Sequence, residues 1–272
     1  LTEDYLNLWI QQAVKYVEQI IKAQDIIFSF SGGGFSTIKL GSILKKKIGC
    51  KFVINLHDPL LYTLVNDHFI VSLASKLPQR NRDYLERKYL RNSDLILTSS
   101  ESYSKALLKK YPHLNIECCH FGYHKIKKVQ KRIIDDTLHI VYGGSFSDIQ
   151  KPEILMDAVL EGNIANVKVH LVGDHHRYAR LNKYKKQEFK HILNFKEQMS
   201  FEDYQEFVNN QIDVGFFSLV GSLSKLCVPS KLYEYINLEI PVLGVINGDG
   251  KQIIKDNKIG IVCTPDKEDI IR

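Results

Sequence analysis

Val228-Pro-Ser-Lys-Leu-Tyr-Glu-Tyr-Ile-Asn-Leu-Glu-Ile-Pro-Val-Leu243 reads as a helix followed by a strand, with charge gathered at the helix's first turn. Pro229 and Ser230 predict the helix start, because proline is tolerated in a first turn and a serine hydroxyl caps free amides. Such a start concentrates unpaired N–H groups and a partial positive charge, which suits a phosphate. Lys231 adds a full charge there, and Glu234 lies one turn on, along the face of Ser230. A carboxylate accepts two hydroxyl hydrogen bonds at once, as the diol of a ribose would offer them. Pro241 to Val245 predicts a short buried strand. From these residues alone, an ordinary capped helix in a parallel α/β domain is an equal reading.

Working outward, the same alternation recurs. Leu138–Tyr142 predicts a strand, Gly143-Gly144-Ser145 its turn, and Pro152 to Leu160 a helix. Val167–Val172 is a strand closed by Gly173-Asp174, Ile192–Phe195 another, and Ser200–Asp203 opens a capped helix before the strand Asp213–Phe217. The first half repeats the pattern. Residues 5–22 are spaced as an amphipathic helix, Asp25–Phe30 as a buried strand and Ser31–Gly34 as a turn. A helix over Thr37–Lys47 follows, then a strand over Cys50–Leu56 ending in His57-Asp58-Pro59. Asp83–Arg91 is a charged helix, Leu95–Thr98 a strand, Ser99–Ser102 the cap of a helix to about Lys110, and Asn115–Cys119 a strand. Strands alternating with helices in both halves predict parallel sheets. The aperiodic, lysine-rich residues 125–137 predict a linker between domains at 1–124 and 138–272. Ser31–Gly34 lacks the Gly-Lys-Ser/Thr of a P-loop, so no ATP site is read there.

The string Pro229-Ser230-Lys231 with Glu234 resembles the donor-site signature of GT-B glycosyltransferases, especially the family 4-like enzymes. The resemblance extends from about Asp25 onward and is strongest over Val141–Pro265. It implies two Rossmann-like parallel-sheet domains facing a cleft, the N-terminal one incomplete, since relatives have strands ahead of the opening helix. It further implies transfer of a sugar from a nucleotide diphosphate sugar to a saccharide or lipid-linked acceptor. Transfer in such enzymes retains configuration and uses neither a bound metal nor a cofactor.

By that resemblance Lys231 stabilises the leaving diphosphate, Glu234 holds the ribose, and Pro229 and Ser230 shape the helix start. Gly144 and Ser145 would meet the diphosphate, Ser145 standing where relatives have arginine. Lys151 matches a lysine of the family, or is a solvent lysine at a helix start. Gly173 matches the strand-end turn near the nucleotide, and Gln198 the turn that touches the nucleobase. His57 matches a strand-end histidine beside the donor sugar, or simply fixes the turn before Pro59. Leu226 stands where many members carry a sugar-contacting glutamate. Glu239 stands where glycine follows the helix. A left-handed non-glycine residue costs roughly 1 kcal/mol, so the helix is expected to end differently here. Two readings compete with transfer: a nucleotide-sugar epimerase of the same architecture, using His57 and Asp58 as acid and base, and a non-catalytic nucleotide-sugar-binding homologue.

Composition bounds these readings. The chain has 272 residues, 25% charged and 44% hydrophobic, which accommodates two globular domains. No apolar run approaches the roughly 20 residues of a membrane span. Five scattered cysteines predict reduced thiols and a cytoplasmic setting. His175-His176 has no third ligand at an evident spacing, so no metal site is expected. The net charge of +6 lies wholly in the first half, where residues 1–125 hold 17 Lys and Arg against 11 Asp and Glu. That bias, including Lys45-Lys46-Lys47, fits either solvated helix faces or an anionic membrane surface met peripherally. Nucleic acid is disfavoured, because the basic stretches lack interleaved aromatic platforms.

Overall fold

The computed structural model describes residues 7–32, 34–60, 83–122 and 136–272. The chain divides into two compact units, Leu1–His120 and Phe121–Arg272. The expected linker, apart from its last two residues, lies outside the described residues.

The first unit runs α1 (Asn7–Val17), β1 (Ile26–Gly32), α2 (Ser36–Ile48), β2 (Lys51–Asp58), α3 (residues 83–90), β3 (Leu95–Thr98), α4 (Glu101–Lys110) and β4 (Ile116–Cys118). Its four strands are parallel and lie in chain order, β1-β2-β3-β4. The helical spacing of α1 sets Ile10 and Val14 against Leu44 of α2. Ser100 caps α4 as expected, accepting from the Tyr103 amide at 3.2 Å. Two acids tie the helices down. Glu86, fully buried, accepts from Lys110 Nζ and the Tyr111 hydroxyl, each at 2.6 Å. Asp94 accepts from Lys45 Nζ at 2.6 Å and the Phe52 amide at 2.7 Å.

Two expectations change here. β1 is not a buried strand, since Ile26, Phe28 and Phe30 are 64%, 44% and 57% exposed. Its inward positions are Ser29 and Ser31, whose hydroxyls donate to the carbonyls of Thr37 and Gly34. An alternating strand has two faces, and on this edge strand the core took the serines. The basic cluster is also partly spoken for: Lys45 pairs with Asp94, and Lys47 with Glu18 at 2.5 Å. Those contacts weaken the case for a membrane-facing patch.

The second unit runs β5 (Leu138–Gly143), α5 (Glu153–Glu161), β6 (Val167–Val172), β7 (Leu193–Lys196), α6 (Phe201–Gln211), β8 (Val214–Ser218), α7 (Ser230–Asn237), β9 (Val242–Val245), α8 (Gly248–Asp256), β10 (Gly260–Cys263) and α9 (Lys267–Ile271). Short 3₁₀ turns interrupt the connections after β6 and β8. Of these elements, α8 and β10 have no counterpart among the sequence expectations. The sheet is wholly parallel in the order β10-β9-β8-β5-β6-β7. Neighbouring β5 and β8 lead away in opposite directions, which makes a crevice at their carboxyl ends. Apolar side chains fill both faces of this sheet, one cluster centred on α6 and α7, the other on α5 and the 3₁₀ turn at Leu181 and Tyr184.

None of the five cysteines is joined in a disulfide, and three of them are buried. Among the described residues, no helix is long and apolar enough to cross a membrane.

Candidate functional site

The crevice of the second unit holds a pocket of about 430 Å³. Its floor is the pair of turns that leave β5 and β6. The Gly144 amide donates to the Val172 carbonyl at 2.9 Å, and the Gly173 amide to the Lys196 carbonyl at 3.1 Å. The two turns touch so closely that a Cβ on Gly173 would stand 2.3 Å from the Gly144 carbonyl oxygen. Gly173 and Gly144 also hold φ of +143° and +137°, which side chains rarely tolerate. Glycine is therefore required at both positions by backbone conformation, and at Gly173 by close approach as well.

α7 forms the facing wall. Its helix begins at Ser230, with Pro229 in the capping position and no side-chain cap on the first-turn amides. The expected start is right, but the serine hydroxyl does not cap it. Lys231 reaches back over the floor, its Nζ 4.7 Å from the centre of the Tyr204 ring. The same ammonium donates to Glu234 Oε2 at 2.7 Å, with both side chains largely buried. Glu234 Oε1 is buried with no hydrogen-bond partner among the described residues. An unpartnered buried carboxylate oxygen costs about 1–3 kcal/mol, so this atom is set to accept a hydroxyl from whatever enters. Lys231 has three donors and can serve an anion while keeping its bond to Glu234.

Gly144, Ser145, Gly173, Gln198, Lys231 and Glu234 thus line one pocket. Pro229 and Ser230 stand at the helix start and are not among the lining residues. Lys151 lies elsewhere, in a left-handed conformation (φ +33°), bordering a surface hollow shared with Glu153, Asp157, Arg180 and Lys183. His57 belongs to the first unit, near the end of β2, its ring 5.7 Å from that of Phe30.

Tyr204 is the residue the sequence did not reveal. It sits one turn into α6, after the Ser200 cap, where its spacing marks it only as a core position. Its ring forms the bed of Lys231, and its hydroxyl fills the space a Gly143 side chain would need, 2.2 Å from that hypothetical Cβ. Burial pushes the Tyr204 and Tyr235 hydroxyls far above their ordinary range, so both stay neutral.

The helix end overturns the expectation for Glu239. That residue does adopt the left-handed conformation, φ +55°. The Ile240 amide donates to the Tyr235 carbonyl and the Glu239 amide to the Ile236 carbonyl, at 3.2 and 3.1 Å, the paired bonds of a Schellman motif. Burial of Leu238 and Ile240 in the core around α7 outweighs the local strain.

No family model matches the chain, and no curated protein sequence does. Solved structures match it in shape. HepE of Anabaena, solved with UDP-glucose, superposes with a TM-score of 0.73 at 14% identity, over 99% of this chain and 72% of that one. TarM gives 0.72 at 13%, over 96% and 50%. A Listeria monocytogenes protein assigned as a UDP-N-acetylglucosamine 2-epimerase gives 0.58 at 13%, over 98% and 70%. The chain has the GT-B fold of two parallel-sheet α/β domains.

Proposed function

We propose that this chain binds a nucleotide diphosphate sugar in the second-unit pocket and transfers the sugar to a saccharide or lipid-linked acceptor. The observation that carries the reading is the Lys231–Glu234 pair at the start of α7. A cation beside an uncapped helix start suits a diphosphate, and the unpartnered oxygen of Glu234 suits a ribose hydroxyl. HepE, with the same fold, binds UDP-glucose, and the proposed donor is of that class.

In this reading the leaving diphosphate gains charge as the glycosidic bond breaks, and Lys231 with the α7 amides stabilises it. Gly144 and Gly173 allow close approach of the phosphates, Ser145 lies beside them, and Gln198 faces the base. The donor-sugar role that the resemblance implies for His57 stays part of this proposal, and Lys151 would supply a more distant positive charge. The family 4-like, configuration-retaining and metal-independent character stays part of this proposal, as does a peripheral cytoplasmic setting.

Calorimetric titration of UDP-glucose into the protein and into Glu234→Ala tests the assignment. Loss of a hydrogen bond to a charged group is worth about 2 kcal/mol, so affinity should fall roughly 30-fold with little change in melting. Equal affinities would remove Glu234 from the site. The likeness to the Listeria protein keeps an epimerase in play. Incubation with UDP-N-acetylglucosamine and no acceptor separates the two, since only an epimerase converts the sugar under those conditions.

A further inference from the structure

The turns after β6 and β7 bring together three side chains with metal-binding atoms. Nitrogens of His175 and His176 and an oxygen of Glu197 all lie within 4.8 Å of one another. Glu197 Oε1 is 2.8 Å from His176 Nε2 and 3.5 Å from His175 Nε2. Zinc bonds of 2.0–2.2 Å in a tetrahedron hold their ligand atoms about 3.3 Å apart. The separations of 2.8 and 3.5 Å from Glu197 Oε1 bracket that value.

The sphere is built rather than accidental. His175 is 5% exposed, its ring held edge-on between Phe195 at 5.3 Å and Phe146 at 6.5 Å. Its Nδ1 is buried with no hydrogen-bond partner among the described residues, so this imidazole bonds outward through Nε2, the atom that faces Glu197. The side chains of His176 and Glu197 are 65% and 71% exposed, which leaves a fourth direction to water. Nearby cations have partners other than the three ligand side chains: Lys185 Nζ donates to the His175 backbone carbonyl, and Arg177 pairs with Asp174. The third ligand escaped the sequence because Glu197 is 21 residues from His176 and arrives through strand pairing, Val172 opposite Lys196.

We propose that His175, His176 and Glu197 bind one divalent transition-metal ion of the zinc type, through two imidazole nitrogens and one carboxylate oxygen, with water completing the tetrahedron. Imidazole with carboxylate suits zinc, and a nitrogen-rich set disfavours magnesium and calcium. The ion is a clip. Gly173 and Asp174 precede the two histidines, Gln198 follows Glu197, and all three line the pocket. Metal would join the β6 and β7 turns that frame it, whatever ligand the pocket takes.

The test uses chelator-treated protein titrated with zinc by calorimetry, and with cobalt(II) followed by visible absorption. One equivalent should bind, with the absorption of four-coordinate cobalt in nitrogen and oxygen ligands. His176→Ala and Glu197→Gln, both at exposed positions, should each weaken binding at least about tenfold while circular dichroism stays unchanged. Cys118→Ser with Cys119→Ser should leave it intact. Absence of saturable binding, binding indifferent to both ligand variants, or a sulfur-to-cobalt band lost in the cysteine variant would each overturn the site.

Discussion

The two units follow one plan, parallel strands with helices between, yet among the described residues it is the second that shows a pocket built around its strand-end glycines. In the first unit the described strands follow chain order, and the turn after β1 closes on its own serines: Ser31 Oγ donates to the Gly34 carbonyl at 2.6 Å. In the second, β5 and β8 part in opposite directions, and the turns after β5 and β6 press on each other under α7. A glycine turn after a strand is thus a matter of local geometry. It becomes a site where sheet order opens a crevice and another element brings charge to it.

The sharpest way to break this contrast is to place the same methyl group in both units. Gly173→Ala forces a Cβ to 2.3 Å from a backbone oxygen at φ +143°, whereas Gly32→Ala meets only Asp58 Oδ2 at 3.9 Å. Overpacking plus backbone strain predicts a loss on the order of 3 kcal/mol for the first and under about 0.5 kcal/mol for the second. Hydrogen exchange read separately over β5–β6 and β1–β2 measures each. Similar effects at both positions would mean the turns are equivalent after all.

Acid should separate the units next. His170 of β6 is 3% exposed and lies 2.9 Å from His139 Nδ1, with Asn194 Nδ2 at 3.3 Å on its other nitrogen. Burial, reinforced by His139, Lys196 and Lys168, lowers its pKa from 6.5 to about 3. The unfolded chain therefore binds a proton between those values that the folded one does not. Stability is full above 6.5 and falls with acid by about 1.4 kcal/mol per pH unit. His175, also lowered by burial and Lys185, acts in the same direction. In the first unit, burial would raise Asp94, but Lys45 and the Phe52 amide hold it below 3.8, so its contribution is lost only beneath that pH. From pH 6.5 to 4.5 the second unit should lose about 2 kcal/mol or more, with Asp94 costing the first unit nothing over that interval. His170→Gln should flatten the loss. An undiminished slope in that variant would assign the proton elsewhere.

How much of this was legible follows from range. Strand and helix positions rest on local periodicity, and β3 and β6 fall on the expected residues. The pairing of Lys231 with Glu234 on α7 was readable because the two lie three residues apart on one turn. The places of Tyr204 beside Lys231 and of Glu197 beside His176 were not, because each is set by pairing or packing with distant elements. β1 misled for a different reason: apolar composition announces a strand but does not say which face of an edge strand meets the core.

Glu239 gives the smallest effect and tests whether the second unit tolerates strain away from its glycine turns. Its left-handed φ of +55° closes the α7 Schellman motif, a place where glycine carries no Cβ penalty. Glu239→Gly should relieve about 1 kcal/mol of that strain, partly offset by the greater freedom of glycine in the unfolded chain. A net gain of about 0.5 kcal/mol is expected, read from the urea midpoint at constant slope. Nucleotide affinity should not change, because Glu239 lies at the opposite end of α7 from Lys231. Destabilisation instead would show that the contacts Glu239 makes are worth more than the strain it carries. That result would place the helix end alongside the glycine turns, as a position fixed by its surroundings and not by backbone preference.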